Sequence, residues 1–363
     1  MSRRYVSRRE FLKISGAAST GLALTAIPEE LLALLERPGE PLARGVLTDI
    51  GGKPYGSPVE ILGGDKYFQY QILDKKRTRR VLIKTVQVTE GYPFPEVVTS
   101  PRIGIRLDSP NLMEHVAPSG AGSVRIYGYI EDVGVRGSVV ENALSAAEAQ
   151  GLSPLLVFAP TWPREDNYIR DKVFGVIDYH PTTVFNIGNE PDNKYVQFWQ
   201  GQDLVSFAHF AMTTLGAIWE RSWSQGGSTL AVISAVQDIK NQRRYLETLR
   251  DAGMNFGNPF LKFGLHTYQS VNDLVYKIPI VRNAFSRVGV KKPALWVTEG
   301  GVTYPGWSKW ITLEMAIEAF RQRIERFYVH TLIDGDEGFE LMSNDGSVHL
   351  PTYYGFQSLA RRL

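Results

Sequence analysis

Ser123-Val124-Arg125-Ile126-Tyr127, Val139-Val140-Glu141-Asn142-Ala143-Leu144-Ser145-Ala146-Ala147-Glu148-Ala149-Gln150 and Pro154-Leu155-Leu156-Val157-Phe158 follow one another in the chain, and the fold turns on them. The outer two are short apolar runs and the middle one carries a helical period. Strand, helix, strand at this spacing is one crossover unit of a parallel sheet. The same alternation continues on both sides. Strands are expected at Arg102–Leu107, Ser123–Tyr127, Pro154–Phe158, Thr183–Ile187, Thr229–Ser234, Lys262–His266, Ala294–Thr298 and Gly338–Met342. Helical patterns lie between them, among them Val139–Gln150, Asp203–Ser222, Asn241–Ala252 and Ile311–Thr331. Eight strand–helix units over roughly 260 residues match a (β/α)8 barrel in number and size. An open doubly wound sheet is the competitor, but no Gly-rich phosphate loop follows any of the strands. The fold class expected is therefore α/β, a (β/α)8 TIM barrel over residues 101–363.

Upstream, residues 46–100 alternate apolar and polar, as in Lys66-Tyr67-Phe68-Gln69-Tyr70-Gln71-Ile72. Period two bounded by turn residues reads as antiparallel strands, a small β appendage to the barrel. Glu29 to Leu35 form a short helix candidate before it, so residues 28–100 make one N-terminal region. The first 27 residues read differently. Ser7-Arg8-Arg9-Glu10-Phe11-Leu12-Lys13 precedes an uncharged run from Ile14 to Ala26, too short to span a bilayer comfortably. The serine, paired arginines, Phe-Leu and Lys resemble a twin-arginine export signal. That resemblance implies passage of a folded chain through the twin-arginine export machinery to an extracellular, periplasmic or cell-envelope location. Membrane attachment is expected only through this segment, and only if it is left uncleaved.

The chain has 363 residues, 43% hydrophobic, with 40 Lys and Arg against 38 Asp and Glu, and no Cys. Such an apolar fraction supports a substantial core. A net charge of +2 gives no basic face for nucleic acid, so no nucleic-acid partner is expected. Residues 1–13 hold five basic groups and one acid; without them 35 basic groups face 37 acidic ones. The absence of Cys excludes disulfides, thiolate zinc sites and cysteine nucleophiles. Six scattered His with no H-x-H or H-E-x-x-H give no metal site, and no cofactor is expected.

In barrels of this type the chemistry sits at the carboxyl ends of the strands. Phe185-Asn186-Ile187-Gly188-Asn189-Glu190-Pro191-Asp192 ends strand four, and Leu295-Trp296-Val297-Thr298-Glu299-Gly300-Gly301 ends strand seven. Each puts one carboxylate where the interior opens, and strands four and seven are expected to face each other across the mouth. Glycosidic bond cleavage needs two such carboxylates, one to protonate the leaving oxygen and one to meet the oxocarbenium-like centre. The plain alternative is that each glutamate caps the helix that follows.

Asn189-Glu190-Pro191 after strand four, with Glu299 ending strand seven, resembles the clan of retaining (β/α)8 glycoside hydrolases that includes cellulases, β-xylosidases, β-mannanases and β-1,3-glucanases. The resemblance implies Glu190 as general acid/base and Glu299 as the nucleophile of a double displacement. It implies Asn189 on the sugar 2-hydroxyl, and Arg125 of Val124-Arg125-Ile126 orienting the nucleophile. His266-Thr267-Tyr268 is similar to the clan's H-x-Y, with Tyr268 on the nucleophile and His266 on the substrate. Pro351-Thr352-Tyr353-Tyr354-Gly355-Phe356 is similar to the start of its last helix. One departure stands out: the clan often has a Trp on strand eight as floor of the cleavage subsite, and Gly338–Met342 has none.

Tyr127, Tyr129, Trp162, Trp199, Tyr304, Trp307 and Trp310 fall on or just after strand ends, where aromatics would stack on the apolar faces of sugars. Trp162 and Trp307 are the expected platforms, while Trp219 and Trp223 read as helix packing residues. An oligo- or polysaccharide is the partner expected. Two other functions fit the same residues. The missing strand-eight Trp suits a non-catalytic carbohydrate-binding barrel, and export suits a transglycosylase acting on surface glycans.

Overall fold

The computed structural model describes residues 43–48, 54–65, 69–74, 77–82, 86–91, 98–107, 109–193, 203–302, 310–332, 341–342, 351–360 and 363. The export-signal segment, Trp199, Tyr304 and Trp307 lie outside these residues.

Five strands form an antiparallel sheet: β1 (Ala43–Thr48), β2 (Pro54–Asp65), β3 (Gln69–Asp74), β4 (Arg77–Leu82) and β5 (Val86–Gly91), in the order β4-β3-β2-β1-β5. This is the small β element that the period-two pattern predicts. Leu47 of β1 and Val59 of β2 are buried with the main hydrophobic core.

Eight parallel strands then close into a barrel. They are β6 (Ser100–Leu107), β7 (Ala121–Tyr129), β8 (Ser153–Ala159), β9 (Val184–Ile187), β10 (Ala231–Ile233), β11 (Leu261–Tyr268), β12 (Leu295–Gly301) and β13 (Arg326–Val329). The helices among the described residues are α1 (Val139–Ala149), α2 (Asp166–Tyr179), α3 (Leu204–Ser224), α4 (Gln242–Asp251), α5 (Val271–Arg287), α6 (Trp310–Arg321) and α7 (Pro351–Ala360). Their starts follow the sequence: Ser138, Asp203 and Ser270 each accept a hydrogen bond from a backbone N–H in the first turn of α1, α3 and α5. None of the described helices is long and apolar enough to cross a membrane.

Strand period two sorts each barrel strand into an outer and an inner set. On β6, β7, β11 and β13 the outer residues Ile103, Ile105, Val124, Ile126, Phe263, Leu265, Phe327 and Val329 join the core beneath the helices. The alternate residues point inward. Toward the amino ends, Leu155, Val184, Val232, Trp296 and Tyr328 plug the barrel as a separate small cluster. Tyr328 fits because its neighbour on β6 is Gly104, where an added Cβ would come within 2.2 Å of the tyrosine ring. One layer nearer the carboxyl ends, the inner positions carry Arg106, Arg125, His266 and Glu299. The fold therefore sets a floor of apolar rings under a layer of ionisable side chains.

Strand eight corrects the sequence expectation. It is β13, Arg326–Val329, which lies inside the expected helix Ile311–Thr331; that helix ends at Arg321. Of the expected strand Gly338–Met342, only Leu341 and Met342 are described, and their N–H groups both bond to the carbonyl of Leu332. The end of strand eight is thus Val329-His330 rather than Gly338–Met342, and the ionisable side chain it carries is His330.

Candidate active site

Glu299 sits at a break in register. Leu265 pairs with Val297, but His266 pairs with Glu299, so one extra residue enters β12 between them. Such a bulge re-aims a side chain that simple alternation would turn outward. Trp296 and Glu299 both face the interior because of it. The Glu299 carboxylate is nearly inaccessible, with 5% side-chain exposure, and donors surround it. Arg125 and the Tyr127 hydroxyl donate to Oε1, and the Tyr268 hydroxyl donates to Oε2. His330 Nδ1 is 3.2 Å from Oε2.

The electrostatics follow from these contacts. Burial alone would push the Glu299 carboxyl up, but His266, Arg125 and the hydrogen bond from His330 outweigh it and hold it well below the usual carboxylate range. Burial, with the Glu299 charge, pushes the Tyr127 and Tyr268 phenols up, so both stay protonated donors. Burial disfavours the Arg125 charge, but Tyr127 and Glu299 more than restore it, and its value is raised. Glu299 is thus a carboxylate kept ionised and oriented at both oxygens.

Glu190 is placed by a different device. Its backbone lies in the left-handed region (φ 42°), and Gly188 just before it has φ 75°. A side chain costs about 1–2 kcal/mol in that conformation, and surrounding bonds must hold it there. Gly188 N–H donates to the Phe158 carbonyl at 2.9 Å, and the Asn193 N–H donates to the Glu190 carbonyl at 2.9 Å. Asp192 anchors the far side by accepting from Gln237 N–H (2.7 Å), Asp238 N–H (3.2 Å) and Asn241 Nδ2 (2.8 Å). The result turns the Glu190 carboxyl toward β11. His266 Nδ1 is 2.8 Å from Oε1, and Asn193 Nδ2 donates to Oε2 at 2.9 Å. Burial opposes ionisation of Glu190, yet these two hydrogen bonds lower its carboxyl below the ordinary value.

His266 joins the two carboxyls. Its Nε2 is 3.6 Å from Glu299 Oε1 and is a buried nitrogen with no hydrogen-bond partner. One imidazole ring therefore spans the gap between Glu190 and Glu299. Strands four and seven are not diametrically opposed but three steps apart around the barrel, with β10 and β11 between them. Arg125 ties the group together: Nε donates to Asn186 Oδ1 (3.2 Å) and Nη2 donates to Asn189 Oδ1 (2.8 Å). With Asn189 Oδ1 held from below, its Nδ2 has no acceptor among the described residues and is available to a ligand hydroxyl.

The structure thus brings Glu190, Glu299, Asn189, Arg125, His266 and Tyr268 into one hydrogen-bonded constellation. It puts His266 on both carboxyls, where the resemblance gives it to the substrate. Trp162 stands on the loop after β8, 58% exposed, with the Arg164 guanidinium 5.0 Å over its ring. Arg164 is pinned in turn by two bonds to Glu131 Oε1, at 2.9 and 2.6 Å. Three members of the constellation are not among the residues singled out from sequence as catalytic or orienting. Tyr127 reads there only as a loop aromatic, and Arg106 and His330 carry no motif. Alternation along β6 and β7 was the signal for Arg106 and Tyr127, since Arg106 pairs with Arg125 across the strands and Tyr127 follows Arg125 by two residues on the same strand. Among the described residues no group of His, Asp and Glu is arranged to hold a metal ion.

No family model matches the chain, and no curated protein matches it in sequence. Solved structures do. The chain is similar to the endo-β-1,4-glucanase Xac0029 from Xanthomonas axonopodis pv. citri, at 12% identity over 72% of this chain and 98% of that one, TM-score 0.52. It is similar to fungal β-1,4-galactanases at 14% identity over 70% of this chain and 98% of that one, TM-score 0.50. The β-mannanase from Thermomonospora fusca shares 19% identity over 78% of this chain and 94% of that one, TM-score 0.48. At these identities the likeness to the glucanase and the galactanases shows the fold alone, a (β/α)8 barrel.

Proposed function

We propose that this protein is a retaining glycoside hydrolase acting on an oligo- or polysaccharide, with Glu190 as acid/base and Glu299 as nucleophile. The observation that carries this reading is the pair of carboxyls on either side of one imidazole, differently equipped for their work. Glu299 is ionised and gripped at both oxygens, which suits an attacking carboxylate. Glu190 is the more exposed of the two, at 13% against 5% for the side chains, and sits on a rigid turn. That suits a group which must reach the leaving oxygen and later activate water. Asn189 Nδ2 is positioned to bind the sugar 2-hydroxyl, and exposed Trp162 offers a flat face for a further sugar unit. The structural neighbours named for β-1,4-glucan and β-1,4-galactan cleavage support a polysaccharide substrate. Both steps run on the carboxyls alone, so the mechanism calls for no cofactor. We propose further that residues 1–27 direct export by the twin-arginine route and that the domain borders lie near residues 28 and 101.

The test is a screen of aryl β-glycosides and soluble β-1,4-glucans, galactans and mannans. Glu190→Gln is expected to lower kcat by about 10²–10⁴-fold on the substrate found. Glu299→Gln is the matching variant at the nucleophile. Glu299→Ala is a poorer choice than the sequence alone suggests, because it would strand the buried Arg125 charge and cost about 3–5 kcal/mol of stability. Wild-type turnover by Glu190→Gln or Glu299→Gln would overturn the assignment. Glycan binding without release of reducing ends would favour a binding barrel, and lengthened products a transglycosylase.

A further inference from the structure

His330 ends strand eight, and nothing in the reading above gives it a role. Its ring is buried at the floor of the site. Among the described residues it faces Glu299 of β12, Tyr268 of β11 (ring centroids 5.6 Å apart, edge to face) and Arg106 of β6. Tyr127, Arg125 and His266 form the next ring of ionisable neighbours, all through Glu299 or Arg106.

Arg106 stands behind two of the groups that hold Glu299. Its Nη1 is 2.7 Å from His330 Nε2 and 3.4 Å from Nδ1, and its guanidinium carbon lies 4.6 Å over the Tyr127 ring. Tyr127 donates to Oε1 of Glu299, and His330 Nδ1 lies 3.2 Å from Oε2. One guanidinium therefore buttresses a contact to each carboxylate oxygen without touching the carboxylate. A guanidinium has only donors and keeps its proton at any ordinary pH. Those two distances place Nη1 over the face of the ring, off the in-plane lone pair of Nε2, while Nδ1 points to Glu299 Oε2, an oxygen that accepts.

We propose that Arg106 and His330 are a positioning pair: Arg106 packs over the His330 ring and holds it in place, and His330 donates from Nδ1 to fix Oε2 of Glu299 for attack. The advantage is geometric: Arg125 and Tyr127 both donate to Oε1, and His330 adds to Tyr268 a second donor on Oε2. This inference rests on Glu299 being the nucleophile, and its first test does not need a substrate.

The full-length protein, labelled with ¹⁵N-histidine, is read by two-bond ¹H–¹⁵N correlation. The His330 signals, identified by their loss in His330→Asn, are expected to show a proton on Nδ1. A pattern with Nδ1 unprotonated would overturn the proposal. Arg106→Met is expected to shift the His330 signals, because the guanidinium packed on the ring is gone; an unchanged His330 pattern would also overturn it. With an aryl β-glycoside that the protein hydrolyses, Arg106→Met and His330→Leu are expected to lower kcat by about 10- to 100-fold with KM little changed. His330→Asn, whose amide nitrogen sits where Nδ1 does, is expected to recover most of the loss suffered by His330→Leu. Equal losses in His330→Asn and His330→Leu would mean packing alone and sink the idea. If no glycoside is turned over, the hydrolase reading fails, and the ¹⁵N measurement still decides the pair.

Discussion

Glu190 carries two burdens, a backbone conformation that disfavours any side chain and a carboxyl whose proton is governed by its neighbours. The first predicts an inverted preference. At ordinary helix and strand positions Ala is more stabilising than Gly, but at φ 42° the order should reverse. Glu190→Gly is expected to be about 1 kcal/mol more stable than Glu190→Ala in urea unfolding, and both should be inactive. A less stable glycine variant would mean that the turn is not strained. The second burden bears on pH. Under the proposed function Glu190 must be protonated in the free enzyme to act as acid, so its carboxyl is expected to set the alkaline limb of kcat/KM. Burial raises that carboxyl, while His266 and Asn193 bring it below its ordinary value. Removing the histidine bond with His266→Leu should therefore let it rise and move the alkaline limb to higher pH. A limb that stays in place, or moves down, would assign it to another group.

The elements show which parts of the site were legible and which were not. Asn189-Glu190-Pro191, Glu299 and His266-Thr267-Tyr268 could be read because each closes a run of strand-like residues with a polar motif. Strand eight was not legible because its preceding helix hides its own end. Helices usually stop at a glycine in the left-handed conformation, and here that position is Arg323, with φ 60°. The Ile324 N–H bonds back to the Ala319 carbonyl at 3.0 Å, and the Arg323 N–H to that of Phe320 at 3.0 Å, so the stop is complete without a glycine to announce it. The four-residue strand that follows then reads as more helix, and His330 goes unnoticed at its end. The bulge in β12 was equally silent, since register breaks leave no mark in composition. This stop predicts a gain: Arg323→Gly should raise stability by about 1 kcal/mol, measured by thermal or urea unfolding. Arg323 also disfavours the charge on nearby Arg282, so its removal relieves a like-charge contact as well. A loss of stability would contradict the cap as described.

At the scale of the molecule, the barrel divides its labour by layer. Apolar rings close the amino end around Trp296 and Tyr328, and an ionisable layer lies directly above them on the same strands. Strand count and alternation were enough to predict that architecture, because eight strand–helix units of this length have few other ways to bury their apolar faces. What alternation alone could not predict is that Tyr127 and His330 converge on one carboxylate with Arg106 packed behind them, since that depends on register around the whole barrel. Trp162 stands exposed on the loop after β8 with Arg164 packed over its ring, and under the proposed function it is the face for a further sugar unit. All of this rests on Glu299 as the attacking group. The most direct measurement is peptide mass spectrometry after incubation with a 2-deoxy-2-fluoro glycoside of the sugar found by screening, which traps a glycosyl–enzyme ester. The account predicts a single label, on the peptide carrying Glu299, absent in Glu299→Gln. A label on another residue, or turnover with inversion and no label, would contradict it.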